Sequence, residues 1–252
     1  MDDESLSPGE WLVRLDKARA PRRRIVCVPN AGGSATAFRG WLPELAADME
    51  LLAVQFPGRQ KRIRESPLRD LHRAVDGLLP ALAPLLGPST VVFGDCTGAL
   101  VAYEALVAAR AAGMPAPGCL VVSCCRAPCL PCRHEPLYGL GDEALVAEIR
   151  RLAFAPDWLL RDAATFRSFL PLLRCDFELA EGYVYRPVEP LSVPITAIAG
   201  RRDKITPECD VRAWQRFTSA EFDFIRVDAN HDIVSTHVQE IVDIVHDRIA
   251  PR

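Results

Sequence analysis

The chain has 252 residues, 49% of them hydrophobic and 25% charged, with a net charge of -3. That is enough apolar material for a full globular core, and the near-neutral balance gives no electrostatic basis for binding nucleic acid. The acidic start Met1-Asp2-Asp3-Glu4-Ser5 has no apolar run behind it, and the most apolar window, 98–113, is interrupted by Glu104 and Arg110, so neither a signal peptide nor a membrane span is expected.

Nine cysteines, an odd number with several in strand-like runs, suit a reducing cytoplasm better than a disulfide framework. Residues 1–23 read as a poorly specified leader, with Trp11 and Leu12 available to pack on the body. Arg22-Arg23-Arg24 reads as a solvated basic flank. A β-rich run over 24–28 leads into Pro29-Asn30-Ala31-Gly32-Gly33-Ser34 and a helix over 36–47. A glycine-rich loop between strand and helix presents backbone N–H groups to an anion. It lacks the Gly-Lys-Ser/Thr ending of a nucleotide loop, which leaves a plain turn or half of an oxyanion hole. A second strand, 51–56, ends in Pro57-Gly58, followed by Arg59, Lys61, Arg62 and Arg64. These cations suit an acidic partner or a solvated loop. An amphipathic helix over 68–86 follows, ended by Gly87-Pro88.

The run 89–93 reads as a buried strand that turns abruptly into a helix near Gly98. Between them stands Gly94-x-Cys96-x-Gly98, the nucleophile-elbow spacing with cysteine where serine is usual. The central residue of such a turn adopts a strained backbone so that its side chain projects. The residues two before and two after it then approach neighbouring backbone and must be small. The sulfur lies at a helix N-terminus, whose N–H groups and dipole favour a thiolate. Taken alone, the motif describes a buried structural cysteine equally well.

The elbow helix closes at Gly113-Met114-Pro115, and 119–123 reads as a buried parallel strand. Strand and helix alternate this far, which predicts a doubly wound α/β sheet. After Cys124 the alternation stops. Residues 126 to about 186 hold no convincing strand but helices over 142–152, 157–160 and 163–183. The expectation is one domain, 1–252, with a helical lid inserted at about 126–186 over the carboxyl ends of the strands. Phe154, Trp158, Leu159, Phe166, Phe169, Leu170 and Leu173 exceed what a helical pair needs for itself; core packing accounts for most, an acyl pocket for some. Strand 194–199 ends in Gly200-Arg201-Arg202-Asp203-Lys204, and Thr206-Pro207 supplies an N-cap hydroxyl and a first-turn proline. The last strand, 221–227, runs into Asp228-Ala229-Asn230-His231-Asp232 and a terminal helix over 234–249.

Cys96, Asp203 and His231 thus stand just beyond three strand ends, in the order nucleophile, acid, histidine that marks α/β-hydrolases. In that arrangement His231 takes the Cys96 proton, Asp203 orients the imidazole, and backbone N–H groups of Thr97 and of the Asn30-Ala31 loop hold the oxyanion. His72, His134, His237 and His246 follow no strand end. Asp232 is too near His231 in sequence to orient it easily, and Asp228 and Asp223 are the secondary candidates for the acid. A second cluster, Cys124 and Cys125-x3-Cys129-x2-Cys132-x-His134, offers zinc-capable ligands or a redox switch at the lid hinge. Its spacing matches no standard pair of zinc knuckles, and a chance cluster at a strand end is the favoured reading.

From about Ile25 to His231 the sequence resembles the type II thioesterases of polyketide and nonribosomal peptide assembly lines, which are discrete α/β-hydrolases. The matching stretches are Cys27-Val28-Pro29-Asn30-Ala31-Gly32-Gly33-Ser34-Ala35, Gln55-Phe56-Pro57-Gly58-Arg59-Gln60, the elbow, Leu172-Leu173-Arg174-Cys175-Asp176-Phe177, and Pro194-Ile195-Thr196-Ala197 running to Asp203. The resemblance puts the nucleophile on Cys96, the acid on Asp203, the histidine on His231 and the oxyanion donors on Ala31 and Thr97. It implies hydrolysis of stalled acyl groups from the phosphopantetheine arm of an acyl or peptidyl carrier protein, by a cytoplasmic monomer with no cofactor.

The elbow departs from the family. Gly-His-Ser-Met-Gly is usual, and Gly94-Asp95-Cys96-Thr97-Gly98 stands here. Asn30 also replaces a usual aromatic or histidine. Acyl transfer to cysteine conserves the thioester, so the acyl-enzyme stays activated toward an amine or second thiol, and shuttling acyltransferases of nonribosomal pathways are similar in using cysteine. Hydrolytic editing is the first expectation and acyl or aminoacyl transfer the second. A catalytically silent carrier-binding protein is the third, opposed by the intact triad.

Overall fold

The computed structural model describes residues 11–16, 21–152 and 161–249. The expected helix at 157–160 and the side chains of Phe154, Trp158 and Leu159 lie outside the described residues.

Among the described residues, seven strands form one sheet: β1 (Leu12–Arg14), β2 (Arg23–Val28), β3 (Met49–Val54), β4 (Thr90–Asp95), β5 (Cys119–Ser123), β6 (Ile195–Gly200) and β7 (Phe222–Val227), in spatial order β1-β3-β2-β4-β5-β6-β7. All neighbours are parallel except β1, which runs antiparallel to β3 at the edge. Strand residues alternate between two buried faces, so the core is double. Val26 and Val28 join the cluster under α1 (Leu71–Leu82) and α2 (Thr97–Ala111). Ile25 and Cys27 join Phe38, Trp41 and the apolar side of α7 (Val238–Asp247). Side chains of this size stabilise the fold by about 1.5–3 kcal/mol each when fully buried. This mostly parallel sheet, covered by helices on both faces, is the doubly wound α/β sheet expected from the strand–helix alternation, and it has the α/β-hydrolase architecture expected from the order of the triad and the family resemblance.

Between β5 and β6 lie α3 (Asp142–Leu152) and α4 (Ala163–Glu181), both helical where the sequence predicts helix. They share a third cluster containing Leu145, Ile149, Phe166, Leu170 and Phe177, against which Ala31, Leu173 and Ile205 pack. α4 is started by Asp162, whose carboxylate accepts from Thr165 N at 3.1 Å.

Several local expectations change. The leader is not loose throughout: β1 pairs with β3, and Trp11 is fully buried edge-on to Phe56. Arg23 and Arg24 are not a solvated flank, because the parallel register sets them beside Asp48, just before β3, and Glu50 within it. Arg23 bonds Asp48 at 2.6 and 3.1 Å, and Arg24 bonds Glu50 at 2.7 Å. The helix expected over 36–47 is a 3-10 helix over Ala35–Glu44, with Gly40 and the N–H-less Pro43 inside it. α1 starts at its cap, Asp70, rather than at Leu68. The terminal helix splits at His237 into α6 (Ile233–Thr236) and α7. Thr206 does not cap the next helix, α5 (Glu208–Arg212); its hydroxyl donates to Cys124 O at 3.1 Å.

Candidate active site

Cys96 occupies the turn between β4 and α2 with φ 47 and ψ -116, a strained conformation for a residue with a Cβ. Its N–H is fixed to Ser123 O at 2.8 Å. The flanking glycines are a steric requirement. A Cβ on Gly94 would lie 2.4 Å from Ala99 Cα, and one on Gly98 would lie 2.2 Å from Val28 O. The turn therefore projects a half-buried sulfur at the N-terminus of a 15-residue helix.

The loop after β7 brings His231 to this sulfur, and the loop after β6 brings Asp203 behind it. His231 Nδ1 lies 2.9 Å from Asp203 Oδ2. The other carboxylate oxygen of Asp203 accepts from Ile205 N at 2.8 Å and Thr206 N at 3.1 Å, which fixes the plane of the acid. Burial pulls the imidazole down, but the charge of Cys96 and the hydrogen bond and charge of Asp203 outweigh it and hold His231 well above the usual histidine range. The other candidates point elsewhere. Asp228 is exposed against Arg202, Asp223 pairs with Arg248, and Asp232 accepts from Ser235. His246 meets Arg23, His237 meets Thr236, and His72 packs on Tyr183.

Ala31 and Thr97 wall a common cavity of about 10 Å³ beside the elbow. The backbone N–H groups of both residues donate to no other group among the described residues. The Gly32 N–H, by contrast, is committed to Asp176 Oδ2 at 2.6 Å. Arg59 is not a solvated cation: it is 5% exposed and grips both oxygens of Asp176, at 2.9 and 2.7 Å. Arg62 is buried too, on Glu65 and Gln55 O, whereas Lys61 and Arg64 are exposed.

A second cavity, of about 70 Å³, is lined by Cys96 together with Leu100, Cys125, Arg126, Phe177, Glu181, Ile205 and Thr206. Phe166 and Leu170 turn into the helical cluster and Phe169 is exposed, so Phe177 supplies the aromatic wall instead. Cys125, Cys129, Cys132 and His134 do not converge on one point. Cys132 accepts from Arg126, Cys125 donates to Arg126 O, and Cys129 is exposed. Among the described residues, the group of metal-capable side chains within 4.8 Å of one another is Cys124, Asp203 and His231.

One residue of the site escaped sequence reasoning, although it adjoins the nucleophile. Asp95 is 5% exposed and its Oδ1 has no hydrogen-bond partner. Burial pushes its carboxyl up to about 7, against the pull of nearby His231. Between about pH 4 and 7 the folded chain therefore keeps a proton that the unfolded chain has released, and stability falls as pH rises through that window, by up to about 4 kcal/mol. Asp95→Asn is expected to raise the urea midpoint at pH 8 and to leave it unchanged at pH 4. A gap that does not vary with pH would contradict this reading.

The thioesterase domain family matches residues 23–249. The chain is 35% identical over 247 residues to thioesterase PikA5 of Streptomyces venezuelae, covering 97% of this chain and 87% of the relative. It is 36% identical over 244 residues to the AMB antimetabolite synthetase AmbE of Pseudomonas aeruginosa, where 96% of this chain spans only 11% of a far longer protein. Among solved structures, the thioesterase RedJ from the prodiginine pathway of Streptomyces coelicolor superimposes with a TM-score of 0.85 at 34% identity, over 92% of this chain and 87% of that one. Among the described residues, no helix is long and apolar enough to cross a membrane.

Proposed function

The chain belongs to the thioesterase family, and from that premise we propose that it cleaves acyl groups from the phosphopantetheine arm of carrier proteins in polyketide or nonribosomal peptide assembly, through an acyl-enzyme on Cys96. The observation that carries this reading is the 2.9 Å Asp203–His231 bond set behind a cysteine at an elbow turn. His231 accepts the Cys96 proton, and the thiolate adds to the thioester carbonyl. The N–H groups of Ala31 and Thr97 receive the oxyanion. The tetrahedral intermediate collapses, and the pantetheine thiolate leaves with the proton from His231. In the second half-reaction His231 deprotonates water, which attacks the acyl-Cys96 carbonyl and releases the free acid and the Cys96 thiol. Asp203 holds the Nδ1 proton and stabilises the imidazolium throughout. The segment 126–186 serves as a lid, and no cofactor is needed.

Cys96 itself favours a second reading, acyl transfer. Loading cysteine from a thioester is nearly isoenergetic, so the acyl-enzyme remains reactive toward an amine or another carrier's thiol. Loading serine would convert the thioester to a less activated oxygen ester. Cys96→Ser separates the two. With an acyl-carrier donor and an added amine, the variant is expected to release free acid but no amide. If the parent forms no amide while hydrolysing rapidly, transfer is excluded. If neither protein releases acid from any carrier-bound thioester, the hydrolytic reading fails.

A further inference from the structure

We infer that Asp176 and Arg59 are positioning residues that hold the oxyanion loop, so that helix α4 is a working part of the oxyanion hole as well as a cover. The inference rests on the acyl-enzyme reaction proposed for Cys96.

Three segments far apart in sequence meet at this pair: the loop after β2, the loop after β3 and helix α4. Asp176 Oδ2 accepts from Gly32 N at 2.6 Å and from Arg59 Nη1 at 2.9 Å, while Oδ1 accepts from Arg59 Nη2 at 2.7 Å. Arg59 Nη1 also donates to Gly33 O at 2.8 Å. One ion pair therefore grips the loop on both sides of Gly32-Gly33, through the peptide that joins Ala31 to Gly32 and the peptide that joins Gly33 to Ser34. The loop has little freedom around this grip. Gly32 sits at φ 73, and a Cβ there would lie 2.7 Å from Leu173 Cδ2, also on α4. Gln55 Oε1 accepts from Ala35 N at 3.3 Å at the far end of the loop.

The grip takes one loop N–H out of play: Gly32 N–H is committed to Asp176, and Ala31, the residue just before it, walls the cavity together with Thr97, Arg59 and Asp176. The side chains of Arg59 and Asp176 are 6% and 8% exposed. An ion pair buried this deeply contributes little net stability, because desolvating both charges offsets their attraction. Its consequence here is geometric: it fixes the direction of one oxyanion donor, and a shift of that donor by a fraction of an ångström weakens stabilisation of the tetrahedral intermediate.

The test compares two reactions of one sulfur in the full chain. Acylation of Cys96 by a short acyl-carrier thioester passes through an oxyanion, whereas alkylation by iodoacetamide, a displacement at carbon with iodide leaving, does not. Asp176→Asn preserves the side-chain shape and Gly32's acceptor but removes the charge that holds Arg59. Arg59→Lys keeps the charge and loses the fork. Both variants are expected to slow acylation by about 100-fold, the scale of losing one oxyanion donor, with alkylation within about twofold of the parent. Unchanged acylation in both variants overturns the inference alone. Equal loss of acylation and alkylation also overturns it, because the pair would then act on the sulfur or on the fold. A parent that acquires no acyl group on Cys96 overturns the reaction and this inference with it.

Discussion

Cys96→Ala is expected to form no acyl-enzyme and to lose thioester cleavage by roughly a million-fold, the scale of removing a triad nucleophile. The substitution deletes only the sulfur. The Cβ stays, so the strain of φ 47 is the same in both proteins, and the tight approaches at Gly94 and Gly98 are untouched. The variant should therefore fold as the parent does and still bind carrier, which separates lost chemistry from lost structure. Steady-state release of pantetheine thiol, measured beside a thermal unfolding curve, checks this. Activity within tenfold of the parent from a folded variant would remove Cys96 from the mechanism.

Asp203→Asn is the second large effect, expected at about 10,000-fold in kcat/KM. Asp203 performs two tasks with two oxygens. Oδ1 accepts from the backbone N–H groups of Ile205 and Thr206, and Oδ2 faces His231 Nδ1. An asparagine keeps its carbonyl oxygen on the backbone donors, so its NH2 group is turned to the imidazole. That group donates where Asp203 accepts. The ring is then driven to carry its proton on Nε2, the nitrogen needed to accept from sulfur. The fold is preserved and the base is disabled. A loss below tenfold would mean that Asp203 is not the acid that orients His231.

The parts of this site that the sequence exposes are those set by local sterics. The spacing Gly94-x-Cys96-x-Gly98 is readable because a Cβ at either glycine strikes backbone within a few residues of chain or on the adjoining strand. The strands are readable because alternate residues such as Ile25 and Val26 enter different faces of one sheet. The order Cys96, Asp203, His231 follows from parallel strands whose carboxyl ends share one edge. What the sequence hides depends on distant pairing or on the rotation of a helix. Arg59 and Asp176 are 117 residues apart, and nothing near Arg59 marks it as buried among four cations. α4 has aromatic residues at 166, 169 and 177. Only its docked orientation selects Phe177 for the cavity and sends Phe169 to solvent. Asp95 reads as a polar substitution in a turn until the sheet places it under the triad with an unsatisfied oxygen.

The most direct test of the mechanism is time-resolved intact-mass spectrometry of the full chain with short acyl-carrier thioesters, followed by peptide mapping. The expected result is one acyl mass on the protein, located on Cys96, appearing before free acid accumulates and decaying as it does. Free acid released at the full rate with no acyl group ever present on Cys96 would contradict the account.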